Sequence, residues 1–170
     1  MRNLTQLYLD ENNLTDQAAT AIAESEHLRK LTHLSLGHNK IEGKGAAELA
    51  VSENMANLTH LWFTNNKIRQ EGMQAIALSN HLTNLEYLDV SQCEIGNEGV
   101  QVLSLTNKRK LKFINLYHNG ISSKGYKLLS ESENMPLLSE IKIYEGNPVS
   151  NEFKSALKRS KFLPALRHIQ

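Results

Sequence analysis

The chain has a single cysteine, Cys93, so it cannot close an intramolecular disulfide. That excludes a disulfide-stapled secreted scaffold and fits an intracellular, cytoplasmic protein. No segment approaches the roughly 18 consecutive apolar residues of a membrane span, and "MRNLTQLYLD" holds no apolar run of signal-peptide length. Charge of one sign is not in excess either: the net formal charge is +1, which argues against a nucleic-acid or anionic-membrane partner. The catalytic and nucleotide signatures are also missing. There is no HxH, HExxH or CxxC spacing for a metal, and no Walker-type or Rossmann-type loop. No cofactor is called for. Three Asn-Leu-Thr sequons, from Asn3, Asn13 and Asn57, read as by-products of a repeated pattern.

That pattern fills the chain. "LTQLYLDENNL", "LTHLSLGHNKI", "LTHLWFTNNKI", "LEYLDVSQCEI", "LKFINLYHNGI" and "LSEIKIYEGNP" begin at residues 4, 31, 58, 85, 111 and 138. The spacings are 27, 27, 27, 26 and 27 residues, the period and form of a leucine-rich repeat. Six repeats, with the beginning of a seventh at 166, are therefore expected to form one domain over 1–170. The first, fourth and sixth positions are apolar in every copy. The fourth and sixth share one face of a short strand, so that face is the buried one. The ninth position reads Asn12, Asn39, Asn66, Cys93 and Asn119. Asn offers two donors and an acceptor, so a column of them can satisfy backbone groups freed where each strand bends away. Cys93 stands in that column and reads as a buried filler rather than a reactive thiol.

The second half of each repeat is expected to be helical, with Ile22, Leu49, Ile76, Leu103, Leu129 and Leu157 turned inward and Asp16, Asn97, Ser122 or Ser123, and Ser150 or Asn151 available as N-caps. Repetition of strand, bend, helix and return gives an α/β solenoid, a horseshoe with a parallel sheet on its concave face and helices on its convex face. Small residues at the helix starts, as in "GKGAAELAVS" and "EGMQAIALS", complete the picture. The 27-residue period with these helices resembles the ribonuclease-inhibitor-like class of leucine-rich repeats. The class occurs also in innate-immune sensor domains, Ran GTPase-activating proteins and bacterial proteins delivered into host cells, for which the compartment would be the host cytosol. The resemblance implies a protein-binding horseshoe.

Two departures carry expectations of their own. The fourth repeat is one residue short, and Lys108 falls where Leu28, Met55, Leu82 and Met135 sit in other copies. With Arg109, Lys110 and Lys112 it reads as a solvated loop. The N-terminus opens on a strand with no capping element, and the last residues fall partway into a seventh repeat. A fragment of a longer protein, or open end strands that self-associate, is the expectation.

The outward positions give the candidate site. The third column reads Gln6, His33, His60, Tyr87, Phe113, Glu140; the fifth, Tyr8, Ser35, Trp62, Asp89, Asn115, Lys142; the seventh, Asp10, Gly37, Thr64, Ser91, Tyr117, Tyr144. Six of the ten aromatic residues fall in these columns, the only Trp among them. Trp and Tyr are enriched in interface hot spots. The predicted partner-binding strip is His33, His60, Trp62, Tyr87, Asp89, Phe113, Tyr117 and Tyr144, with a polar rim of Asp10, Glu11, His38, Lys142 and Glu145. An enzymatic reading, Ser35-His60-Asp89 as a triad, fails on strand spacing of about 5 Å. A metal on His33 and His60, with Asp89 or His38, lacks any supporting motif. The sequence thus reads as a non-enzymatic module that binds a protein, the alternative being a scaffold or regulatory part of a larger enzyme or GTPase regulator.

Overall fold

The computed structural model describes residues 3–148 and 151–170. Seven short strands alternate with six helices: β1 (Gln6–Tyr8), α1 (Asp16–Glu24), β2 (His33–Ser35), α2 (Gly43–Val51), β3 (His60–Trp62), α3 (Arg69–Leu78), β4 (Tyr87–Asp89), α4 (Gly96–Leu105), β5 (Phe113–Asn115), α5 (Ser123–Ser130), β6 (Glu140–Lys142), α6 (Asn151–Lys158) and β7 (His168–Ile169). The strands form one parallel sheet in sequence order. Register is unshifted from strand to strand, so Leu7, Leu34, Leu61, Leu88, Ile114 and Ile141 stack in a row. A repeat that buries little by itself is stable only against its neighbours.

The core lies between the sheet and the helices. Leu34, Leu61, Leu88, Ile114 and Ile141 meet Leu49, Ile76, Leu103, Leu129 and Leu157 there, all buried. Close approach of helix to helix needs small residues, and Gly72 shows why. A Cβ on it would come within 2.7 Å of Ile68 Cβ and 3.0 Å of Ala46 Cβ, so α3 can pack on α2 only with glycine there.

The bend after each strand is made by one residue with positive φ: Glu11, His38, Asn65, Gln92 and His118. The next residue is the ladder position. Asn39 Oδ1 accepts from Asn12 N (3.0 Å) and Leu14 N (2.9 Å), while its amide donates to Leu9 O and Leu36 O (2.9 Å each). Asn66 and Asn119 repeat these bonds. The ladder continues to Asn147, which accepts from Asn119 N and Ile121 N. The inserted residue in the sixth repeat moved that Asn one place along the chain, which is why the sequence column ends at Asn119.

Two expectations are corrected. Asp16 and Asn97 do not cap their own helices; each caps the next repeat. Asp16 Oδ1 accepts from Glu42 N (2.7 Å), at the start of α2, and Asn97 Oδ1 from Ser122 N (3.0 Å) and Gly125 N (3.1 Å), at the start of α5. Ser122 does cap α5, accepting from Lys124 N; Ser150 lies outside the described residues. Lys108 is not solvated. Its side chain occupies the slot filled elsewhere by Leu28, Met55, Leu82 and Met135, leaving the residue 8 % exposed. Burial pulls its pKa below the ordinary lysine value.

Candidate functional site

Adjacent residues in a strand point to opposite faces, and the third and fifth positions of each repeat are outward because the fourth is committed to the core. Phe63 is 0 % exposed, whereas Trp62 stands on the concave face and is half-buried there only by its neighbours. Unshifted parallel register then stacks like with like. His33 pairs with His60, His60 with Tyr87 and Tyr87 with Phe113. Their rings form a continuous column: His33–His60 at 4.1 Å and 9°, His60–Tyr87 at 5.5 Å and 15°, Tyr87–Phe113 at 3.9 Å and 6°. Lys142 Nζ lies 5.7 Å from the Phe113 centroid and closes the column at its far end.

Trp62 lies beside this column. Its centroid is 5.4 Å from Tyr87, 5.6 Å from His60, 6.1 Å from His33 and 6.3 Å from Tyr8. Four rings from four strands fix one indole, so its rotamer is set before any partner arrives. Tyr8, which the predicted strip omitted, is 56 % exposed and extends the aromatic surface to β1. Its fifth-column position was the signal that could have included it.

Hydrogen bonds fix the two histidines further. The Thr32 hydroxyl donates to Thr5 O (3.0 Å) and lies 2.9 Å from His33 Nδ1. The Thr59 hydroxyl donates to Thr32 O (3.1 Å) and lies 2.9 Å from His60 Nδ1. Each hydroxyl thus bridges a backbone carbonyl of the preceding repeat and one imidazole nitrogen, which fixes the plane of the ring. Burial holds the His60 pKa below the ordinary histidine value, with the His33 ring and Lys112 acting the same way and Glu86 opposing. Burial also raises the Tyr87 pKa, with Asp89 adding to it.

Members of the predicted strip differ in how enclosed they are. Phe113 is only 8 % exposed, covered by Tyr87 and Lys142, so it supports the column rather than meeting solvent. Asp89, 9 % exposed, accepts from Ser91 N (2.9 Å), Ser91 Oγ (2.6 Å) and Asn115 Nδ2 (2.9 Å). Tyr144 is half-buried and packs against the core. Tyr117 is half-buried, two residues beyond Asn115, whose side-chain oxygen its backbone N–H reaches at 3.2 Å. At the rim, Asp10, Glu11, His38 and Glu145 are exposed, and Asn65 reaches His38 Nδ1 at 3.0 Å.

The chemistry of Ser35, His60 and Asp89 is already allocated. Ser35 Oγ donates to Asp10 Oδ1 (2.5 Å), His60 Nδ1 is on Thr59, and Asp89 is held by Ser91 and Asn115. The three do not assemble as a triad. Cys93 is buried in its ladder place, with the thiol donating to Phe63 O (3.2 Å) and Ser91 O (3.3 Å). Burial pushes its pKa up to about 12. Among the described residues no helix is long and apolar enough to cross a membrane.

Comparison with known proteins agrees with the fold. A family model described as a leucine-rich repeat matches residues 1–23, 27–50, 54–77 and 81–104, more than half of the chain. No curated protein matches the sequence. Among solved structures, a chain in the crystal structure of the yeast Rad7–Elc1 complex superposes with a TM-score of 0.65 at 16% identity. The match covers 94% of this chain and 40% of that one, so the present chain spans less than half the length of its structural neighbour.

Proposed function

The chain belongs to the leucine-rich-repeat family, and from that premise we propose that it is a non-enzymatic module binding a partner protein on the concave strip centred on Trp62. One observation carries the reading: the strip places Trp62 among Tyr8, His33, His60 and Tyr87, none of which the core requires. Side chains already locked by their neighbours lose little entropy on binding, which favours affinity. A half-buried Trp ringed by Tyr and His is the composition expected of an interface anchor. The structural neighbour comes from a complex of Rad7 with Elc1, which adds support for a protein partner here. The 27-residue spacing and the regular helices favour the ribonuclease-inhibitor-like class within the family. A lone buried thiol favours an intracellular compartment.

The test is affinity capture with three forms of the chain: wild type, Trp62→Ala and Gln74→Ala, the last on the exposed face of α3. A protein held by wild type and Gln74→Ala but lost with Trp62→Ala is the expected result. Retention by Trp62→Ala together with loss from Gln74→Ala would move the interface to the helices and end the reading.

Self-association through the end strands is a second reading. Among the described residues β1 has a partner on one side only, and Leu4, Leu7, Leu9 and Leu14 remain half-buried. Sedimentation over a wide concentration range, with Leu7→Lys as the comparison, measures it. An unchanged monomer for both forms would remove this second reading.

A further inference from the structure

We infer that the concave strip recognises a cationic side chain of its partner, arginine before lysine, seated over Trp62 between the His33–His60 pair and the Asp10 carboxylate. The inference rests on the protein-binding reading above and gives it a chemistry.

Three observations point to a cation. The first is charge. Across the outward columns of the first five strands there are two carboxylates, Asp10 and Asp89, and no Lys or Arg, although the chain carries 19 of these cations. Neither carboxylate has an ion-pair partner among the described residues; both accept only from neutral groups. Lys112, on the approach to β5, is occupied by Glu86 at 2.7 Å. The second is the aromatic surface: Trp62, Tyr8 and Tyr87 meet at one place, and ring faces carry the negative lobe of the quadrupole that attracts cations. The third lies within the strip itself. Where the column does meet a lysine, Lys142 sits over the Phe113 ring, so one end of the strip already holds a cation on an aromatic face.

Ring faces and a carboxylate without an ion-pair partner select a positively charged group. Guanidinium fits best because it is planar, stacks on an indole and keeps its donors in the plane. A metal fits less well. The two imidazole planes are 9° from parallel, so their lone pairs run side by side instead of converging on one ion.

The pair also makes recognition depend on pH. His60 is faced by His33 from β2, Tyr87 and Glu86 from the β4 strand and its approach, and Lys112 from the approach to β5. On protonation His60 would present a cation beside the Trp62 ring, and the site would repel what it holds at neutral pH.

The single Trp gives one indole N–H signal in a ¹⁵N NMR spectrum, and the two imidazoles can be followed beside it. The probes are three blocked tripeptides, acetyl-Gly-Arg-Gly-amide and its Lys and Gln counterparts, added to the folded chain. The Arg and Lys peptides should shift the Trp62, His33 and His60 signals saturably, Arg more tightly, while the Gln peptide leaves them in place. Affinity should fall about fivefold or more in Trp62→Ala and on acidification to about pH 5. It should fall about twofold to threefold in Asp10→Asn, whose amide oxygen can still accept from Ser35 Oγ and Gly37 N, and stay unchanged in Glu71→Gln on the helical face. Equal shifts with the Gln peptide, or no shifts with any of the three, would overturn the inference. So would Zn²⁺ alone moving the histidine signals while the peptides stay silent. If a protein is captured through Trp62 but the Arg and Lys peptides do nothing, the interaction reading stands and this inference fails alone.

Discussion

Lys108 is the residue that the repeat would least be expected to contain, and replacing it with Met tests how the stack is held together. Leu28, Met55, Leu82 and Met135 fill the same slot in four other repeats, and all are buried. Lys108 fills it with an aliphatic stem and an ammonium. Its backbone N–H reaches Asn134 O at 3.1 Å, a bond that any side chain would keep. No carboxylate pairs with its Nζ among the described residues, so the charge loses water without gaining a counter-ion. Lys108→Met keeps the stem volume and removes the charge, for an expected gain of about 1–3 kcal/mol at neutral pH. In a chain of this size that corresponds to a rise of about 2–10 °C in Tm. The sign with pH follows from linkage. The folded-state pKa lies below the ordinary 10.5, so between the two values the unfolded chain binds the proton that the folded chain has lost. The penalty is whole at neutral pH and fades as pH rises through the folded pKa towards 10.5. Urea melts of both forms at neutral and alkaline pH read the difference, in which the titrations of Tyr and Cys cancel. A Met variant that melts at or below wild type, with a gap that does not narrow in alkali, would show that desolvation of the ammonium costs no stability.

Three further outcomes are expected. Phe63→Ala should cost roughly 3–5 kcal/mol by opening the core, whereas Trp62→Ala should cost about 1 kcal/mol, lost ring contacts only, and equal melts would refute the outward assignment of Trp62. Cys93→Asn should stabilise by about 1 kcal/mol, because a carbonyl would then accept from Asn66 N, which now has only the sulfur; native Cys93 should meanwhile resist alkylation at neutral pH, and fast labelling would contradict its burial. His60 should titrate by NMR below its ordinary value of 6.5, and the fold should lose stability as pH falls through that value, since the unfolded chain takes up a proton that burial denies the folded one. A midpoint at or above 6.5 would show that burial does not control it.

The fold was legible wherever one residue type has one physical purpose. Apolar residues at the first, fourth and sixth positions can only face the helices, and the Asn column can only serve the bends, so period alone located Leu61, Phe63 and Asn66. Legibility ended where a single insertion shifted the frame. Asn147 does what Asn119 does, but the extra residue before it hid the correspondence. It also ended where a polar side chain could serve two repeats. Asp16 and Asn97 carry capping chemistry, and local sequence assigns them to their own helices. Only the stack shows that their acceptors face the helix one repeat further on.

The candidate site followed the same logic with a different limit. Strand alternation put Trp62, His33, His60 and Tyr87 on one face, because outwardness is a property of position. Exposure is not a property of position: it depends on what stands on the neighbouring strands. Phe113 lies in an outward column and is nevertheless covered, since Tyr87 stacks on it at 3.9 Å from one side and Lys142 reaches over it from the other. Asp89 is outward too, and the Ser91 and Asn115 side chains around it close most of the access. Toward β1 the packing thins, and Tyr8 and Trp62 keep surface that the middle of the sheet has lost. A stack of flat rings buries its members from the centre outward, and the aromatic surface left open lies toward the β1 side of the column, at Tyr8, Trp62 and the His33–His60 pair.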